Sequence, residues 1–183
     1  SLSGRTKDVN IGTVAEFCTD LGIDLSEVRV VPDVESEIIE AVNALRRKYT
    51  YVFTTGGIGP THDDITADAV ARAFGVSIDV DERAVAMLLE RIAKADLNEA
   101  RLRMARIPAG ATLIANSVSK APGFTIGNVH VMAGVPNIMH AMLDVVAPTL
   151  QTGTKMLSRS IAAGLKEGDI AGAFGAVQAR FPD

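Results

Sequence analysis

Two adjacent carboxylates, Asp63 and Asp64, close a run of permissive backbone, TTGGIGPTHDDIT, over residues 54–66. Glycine has no Cβ, so Gly56, Gly57 and Gly59 let the chain turn sharply and approach a ligand closely. Pro60 and Thr61 follow in the bend, and Thr66 stands where a helical pattern begins. The amides of such a turn, backed by the amino end of a helix, offer donors and positive potential to a phosphate. Two aspartates would repel a bare anion. They suit one that arrives with Mg2+ or another divalent cation, which takes one or two carboxylates together with substrate oxygens. The same residues also fit a glycine turn in which Thr66 caps the helix and the aspartates favour its positive end. Neither G-x-G-x-x-G nor a P-loop ending in G-K-S/T is present.

Other chemistry-bearing residues are sparser. His62, His130 and His140 share no metal-site spacing; His130 and His140 read as structural, while His62, beside the aspartates, could touch a phosphate. The single cysteine, Cys18, excludes an internal disulfide framework and a cysteine-cluster zinc site. It lies at helical spacing among Val14, Ala15 and Leu21 and reads as a small buried hydrophobe. Arg91, Lys94, Arg101, Arg103 and Arg106 form a local basic stretch that reads as a solvated face, with anion contact or a subunit interface as the other options. Without a serine-histidine-acid or cysteine-histidine arrangement, covalent catalysis has no support.

The elements that must position these residues alternate. Ile11, Val14, Ala15, Cys18 and Leu21 form one helical face, ended by Gly22. Val28–Val31 reads as a short strand, and Ile38, Ile39, Val42 and Leu45 as the next helix. Tyr51–Thr55 reads as a strand buried inside a sheet, and the helix after the glycine turn ends at Gly75. A further helix from Glu82 carries Val85, Leu88, Leu89 and Ile92 on one face. Residues 112–115 predict a strand. Phe124–Ile126 and Val129–Met132 flank Gly127-Asn128, a two-residue hairpin signal. Ile138, Met139, Met142 and Leu143 mark a helix that stops before Pro148. This order predicts an α/β chain, a three-layer α/β/α sandwich over residues 1–150 with a mainly parallel, mixed sheet carrying an antiparallel edge. Gln151–Thr154 reads as a linker. Residues 151–183 then predict the start of a second, small α/β unit: a strand at Met156–Ile161 and a helical face of Ile170, Ala173, Phe174 and Val177. So short a piece must lean on the main domain or on a partner chain.

Composition narrows the class. Of 183 residues, 48% are hydrophobic and 22% charged, the balance of a folded globular chain. A net charge of −4 and a pI of about 5.4 argue against a nucleic-acid surface. No apolar run approaches the ~20 residues of a membrane span, and no signal peptide leads the chain. These features predict a soluble, cytoplasmic protein.

TTGGIGPTHDDITADAVARAFG resembles the signature of the molybdopterin-binding domain shared by molybdenum-cofactor biosynthesis proteins, in the version found in the competence/damage-inducible protein CinA family. SGRTKDVN (residues 3–10), VVPD (30–33), ARIPAGATLIAN (105–116), APGF (121–124) and AGVPNIM (133–139) agree in order. The tail resembles the start of the small α/β domain that follows in CinA-type proteins.

The resemblance implies a pocket built from several loops. Gly56, Gly57, Gly59, Pro60 and Thr61 form its phosphate- or pterin-facing turn, and Asp64 and Asp33 take the two acidic, metal-holding positions. Ser3, Gly4, Asp8 and Asn10 belong to the loop and helix start after the family's first strand, and Gly134 and Pro136 line the opposite wall. Relatives begin with an apolar strand ending in a glycine-aspartate-glutamate motif, which is absent ahead of Ser3, so an unpaired edge or a gap is expected in the sheet. Three functions follow as expectations. The first is Mg2+-dependent cleavage of a nucleotide pyrophosphate such as ADP-ribose. The second is molybdopterin binding or adenylyl transfer in cofactor synthesis, and the third a non-catalytic binding or assembly module. The family also implies a homo-oligomer, dimer or trimer, whose partner is a small nucleotide or pterin.

Overall fold

The computed structural model of the chain describes residues 8–154, 162 and 164–181. Its helices form where the apolar spacing and the end signals agree. α1 (Asn10–Asp20) buries Val14 and Cys18 and stops at Gly22, whose φ of 65° only glycine adopts freely. α2 (Glu35–Lys48) buries Ile38, Ala41 and Val42, with acids in its first turn and Arg46, Arg47 and Lys48 in its last, matching the helix dipole. α3 (Thr66–Phe74) ends at Gly75 in the left-handed conformation. The Asp81 side chain caps α4 (Glu82–Leu89) by accepting the amides of Arg83 and Ala84. A short α5 (Glu99–Arg103) is capped by Asn98, and α6 (Pro136–Val146) starts on a proline, whose missing N–H is not needed there. α7 (Glu167–Arg180) follows the main body.

Four strands make the central sheet in the order β1-β6-β5-β4. β1 (Val52–Thr55) runs parallel to β6 (Val129–Met132), with Phe53 opposite His130. β5 (Gly123–Ile126) joins β6 antiparallel through the Gly127-Asn128 turn, in which Gly127 has a φ of 55°. β4 (Thr112–Ile114) adds antiparallel to β5. β2 (Ile78–Val80) and β3 (Arg106–Pro108) pair as a separate antiparallel ribbon that the residue pattern did not announce. Side chains alternate across the sheet. Val129 and Val131 join Ile38, Val42, Val70, Leu88 and Phe124 on one face; Met132 joins Val14, Cys18, Met139 and Leu143 on the other. The sheet is mixed and sits between an α2/α3 layer and an α1/α6 layer, the expected α/β/α sandwich.

Several expectations are corrected. β1 does not lie inside the sheet: it is the end strand of the four. Val28–Val31 is not a strand: it has no regular structure and makes no backbone hydrogen bond among the described residues. Both departures face one cavity, described below. Gln151–Thr154 is not a free linker. The Gly153 amide donates to the Leu21 carbonyl at 3.1 Å, the Gln151 amide to the Tyr51 hydroxyl at 2.7 Å, and a Cβ on Gly22 would lie 2.7 Å from the Gly153 backbone. Leu89 turns outward while Ala84 and Leu88 carry the buried side of α4. α7 does not bury the face drawn for it; it has no buried residue, and Phe174 is 63% exposed. The strand expected at Met156–Ile161 lies outside the described residues.

Candidate functional site

At the carboxyl ends of β1 and β6 the chain turns through Gly56 and Gly57, with φ of 95° and 68°. The Gly56 amide donates to the Met132 carbonyl, prolonging the β1–β6 ladder, and the Thr66 amide donates to the Gly57 carbonyl at 2.9 Å. A Cβ on Gly57 would stand 2.0 Å from the Thr66 hydroxyl, and one on Gly134 would stand 3.1 Å from the Gly56 Cα. Close approach favours glycine at Gly57 and Gly134, and φ favours it at Gly56 and Gly57. Thr66 is the first helical residue, not the N-cap; Ile65 is the cap residue, and the Thr66 side chain is buried against the turn.

The start of α1 closes the corner. Asn10 is buried, and its Nδ2 donates to the Gly134 carbonyl at 2.8 Å and to the Thr55 hydroxyl at 3.5 Å. Its Oδ1 is buried with no partner among the described residues. Asp8 accepts the amides of Asn10 and Ile11 through Oδ1, at 2.8 and 3.3 Å, and so holds the first turn of α1. Asp8, Asn10, Asp33, Gly56, Gly57 and Thr66 all line one cavity of about 850 Å³. The structure brings these six together. Pro136 opens α6 two residues beyond Gly134. Ser3 and Gly4 lie outside the described residues.

Asp64 is placed elsewhere. Its Oδ2 accepts the Thr61 amide at 2.9 Å and the Thr61 hydroxyl at 2.6 Å, and a Cβ on Gly59 would meet the same oxygen at 2.6 Å. With Gly59 it lines a separate small pocket beside Arg103 and Arg106, not the cavity that holds Asp33. Asp63 is exposed, Pro60 is exposed at the bend, and His62 is exposed. Two residues read as a solvated basic face organise this side. Arg106 grips Asp68, in the first turn of α3, at 2.6 and 2.9 Å, and Arg103 donates to the Asp64 carbonyl at 3.3 Å. The two-pronged Arg106–Asp68 pair is the strong geometry for such a contact. Nothing in the spacing of the arginines signals it, because the partners are 38 and 39 residues away.

The remaining candidates are structural. His130 is buried in β6, bonded through Nδ1 to the Thr125 hydroxyl at 2.9 Å and stacked on Phe53 at 5.2 Å; burial pushes its pKa down to about 4. His140 stands 3.5 Å from Asp144 on an exposed face of α6. Cys18 is buried, and burial raises its thiol pKa. Among the described residues no group of three or more His, Cys, Asp or Glu side chains could hold a metal alone. Magnesium does not need one: it takes one or two carboxylates and completes its shell with substrate oxygens and water. Asp33 and Asp8 line the same cavity as the glycine turn and fit that donor set, with Asp8 Oδ1 already accepting two amides of α1; Asp64 accepts from Thr61 and lines the other pocket.

A glycine turn at strand carboxyl ends, facing a helix start across a polar corner, defines an α/β ligand-binding domain with its site at the sheet's carboxyl edge. The chain belongs to the molybdopterin-binding domain family: residues 1–152 match the family described as "Probable molybdopterin binding domain". It is 39% identical over 158 residues to a Pyrobaculum calidifontis protein, covering 82% of this chain and 60% of that protein. With a Saccharolobus islandicus protein it shares 37% identity over 150 residues, 78% of this chain and 57% of the relative. The chain thus spans less than two thirds of the length of these relatives. Among solved structures it is similar to the protein CinA, described as of unknown function, from Thermoplasma acidophilum (35% identity, TM-score 0.76, 81% of this chain and 90% of that one). The molybdopterin biosynthesis enzyme MoaB from Thermus thermophilus shares the fold, at 20% identity and a TM-score of 0.52 over 81% of this chain and 84% of that one. Among the described residues no helix is long and apolar enough to cross a membrane.

Proposed function

We propose that the chain binds a phosphate-containing nucleotide or pterin with Mg2+ at the glycine-turn corner, and hydrolyses a nucleotide pyrophosphate of the ADP-ribose type. One observation carries this reading. Two glycines in the left-handed region, a buried asparagine whose acceptor has no partner among the described residues, and two carboxylates line one cavity at the strand carboxyl ends. The open side of the glycine turn and the first turn of α3 would receive phosphate oxygens, the Gly56 and Thr66 amides being already bonded to the Met132 and Gly57 carbonyls. Asn10 Oδ1 accepts a hydrogen bond from a ligand hydroxyl or amine, and Asp33 and Asp8, which line the same cavity, would hold the cation. A divalent ion bound there would supply charge neutralisation to the substrate's phosphate oxygens. Asp64 keeps the loop in shape through Thr61.

A second reading is molybdopterin binding, or adenylyl transfer, without hydrolysis. The engaged carboxylate of Asp64 favours it, since one acid of the expected pair is turned away from the cavity. Thermal shift with ADP-ribose, FAD, ATP and molybdopterin, each with and without Mg2+, separates the two. A ligand at ~100 times its Kd should stabilise by about 2.7 kcal/mol. Mg2+-dependent stabilisation by ADP-ribose with release of AMP supports hydrolysis. A shift with molybdopterin and no AMP supports the second reading.

A further inference from the structure

α3 carries two charged side chains, Asp68 in its first turn and Arg72 in its last. Both suit the helix itself, because each faces the opposite pole of its dipole. Toward an anion at the helix start, however, Asp68 is a like charge. Both side chains are tied to other elements. Arg72 donates to Glu35 of α2 at 2.7 Å, and Asp68 accepts both prongs of Arg106 at 2.6 and 2.9 Å. Arg106 opens β3, in the small ribbon outside the central sheet, and reaches the helix from there. The Arg106 and Asp68 side chains are only 28% and 26% exposed, so water screens this pair less than a surface pair. In the same turn the Thr66 and Ala69 amides are bonded to the Gly57 and Ile65 carbonyls. Those of Ala67 and Asp68 make no hydrogen bond among the described residues.

We propose that Arg106 is a positioning residue for the anion: it neutralises Asp68 and so keeps the start of α3 positive toward a phosphate or pyrophosphate group. The inference rests on the phosphate reading of the glycine-turn corner. Magnitudes decide why the neutralisation matters. A helix start carries the equivalent of about half a positive charge, whereas an unpaired Asp68 would place a whole negative charge in that turn. Unpaired, the carboxylate outweighs the dipole; paired, it leaves the dipole in control. That a ligand belongs at this helix start is supported independently by Asn10. It is 8% exposed, its Oδ1 has no partner among the described residues, and it lines one cavity with Gly56, Gly57 and Thr66. Arg106 does not line that cavity. It borders the separate pocket of about 10 Å³, room for one water at most and too small for a phosphate. Arg106 therefore acts on the anion through Asp68 and not by contact.

An electrostatic role and a purely structural one predict different signs, and that difference is the test. The probe is inorganic pyrophosphate with Mg2+, titrated by calorimetry into the whole chain and three variants at low ionic strength. Arg106→Gln frees the Asp68 charge and should weaken binding by about two- to fivefold. Asp68→Asn keeps a hydrogen-bonding partner for Arg106 but removes the negative charge, and should tighten binding by a similar factor. The double variant Arg106→Gln/Asp68→Asn has lost the ion pair yet restored neutrality, and should bind within about twofold of wild type. A pair that only clamps β3 to α3 would weaken binding in both single variants and most in the double one. Amide exchange at Val70 and Ala71 reports whether α3 persists in each. Should Arg106→Gln fail to fold, Asp68→Asn still decides by its sign. Weaker or unchanged binding in folded Asp68→Asn overturns the proposal and leaves the nucleotide reading standing. No binding of pyrophosphate to wild type removes the anion site itself, and the two fall together.

Discussion

Two four-residue stretches, Val28-Arg29-Val30-Val31 and Val129-His130-Val131-Met132, have nearly the same apolar character and opposite fates. The second is β6, paired on both edges and buried at every position. The first has no regular structure, is unpaired among the described residues and is largely exposed. Intrinsic preference for extended backbone is common to both, so it does not separate them. Neighbours do: β6 has β1 on one side and β5 on the other, whereas residues 28–31 face a cavity. Strand propensity measures fit to a half-buried pleated surface, and without that surface it yields only a loop.

The sharpest way to break this comparison is to truncate both stretches. Met132 is fully buried among Met139, Met142 and Leu143, so Met132→Ala should cost about 2–5 kcal/mol. Val30→Ala should stay within about 0.5 kcal/mol, as exposed positions do. Urea denaturation of the two variants checks both values. Comparable losses would mean that residues 28–31 are packed in solution and that the two stretches are alike after all.

Acid should single out the buried stretch. His130 sits among Tyr51, Phe53 and Thr125, neutral, with its folded pKa lowered to about 4 from an ordinary 6.5. The unfolded chain takes up a proton at 6.5 and the folded chain does not. The stabilisation is therefore complete above about pH 6.5 and is lost progressively as pH falls toward 4. At about 1.36 kcal/mol per pKa unit the loss is on the order of 3 kcal/mol. His130→Phe keeps the ring stack and removes the titration. The stability difference between wild type and variant, measured at pH 7 and pH 4.5, should shrink or reverse at the lower pH. A difference that is the same at both pH values would show that His130 is not held neutral.

How much was legible follows the same line between local and long-range causes. The helix ends at Gly22 and Gly75, the Gly127-Asn128 hairpin and the apolar faces of α1, α2 and α6 were readable, since each is specified within a few residues. β2 and β3 were not: Ile78–Val80 and Arg106–Pro108 are three residues each, pair across a long stretch of chain and carry no alternation of their own. In the site, Gly56, Gly57, Asn10, Asp8 and Asp33 were named from sequence, and the structure gathers them at one cavity. Asp64 was paired with Asp33 because motifs record which residues recur, not which way a carboxylate turns. Its orientation is set by Thr61 three residues away, and the loop is held by Arg103 across 39 residues. The edge position of β1 is a property of the space beside it, which its own residues do not encode.

Within the turn itself, Gly57→Ala would force a side chain into the left-handed region and against Thr66. A loss of about 1–3 kcal/mol is expected, along with loss of anion binding, since the α3 start must move to make room. Gly110, also at positive φ but with nothing within 4 Å of a built Cβ, is the control for backbone strain alone. If Gly57→Ala and Gly110→Ala lose equal stability and both keep ligand-induced thermal shifts, the close fit of Thr66 against the turn is unimportant.

The smallest stability effects should come from the carboxylates, and they sharpen the contrast between the two pockets. Asp33 is an exposed cavity-wall residue, so Asp33→Asn should leave unfolding within about 0.5 kcal/mol. Asp64→Asn swaps an acceptor of two hydrogen bonds for a neutral amide, which can still accept both through its oxygen if oriented correctly, so its cost should be about 1 kcal/mol. Their ligand effects should run the other way. Asp33 shares the cavity with the glycine turn, so removing its charge should abolish the Mg2+-dependent part of a nucleotide thermal shift while leaving the Mg2+-independent part. Asp64→Asn should weaken both parts together and only modestly, because it acts through the shape of the loop. The measurement is the shift with ADP-ribose across a Mg2+ titration for the two variants and wild type. Were Asp64→Asn alone to erase the Mg2+ dependence, Asp64 would have to leave Thr61 and turn toward the cavity when ligand binds, and the separation of the two pockets would describe only the ligand-free state.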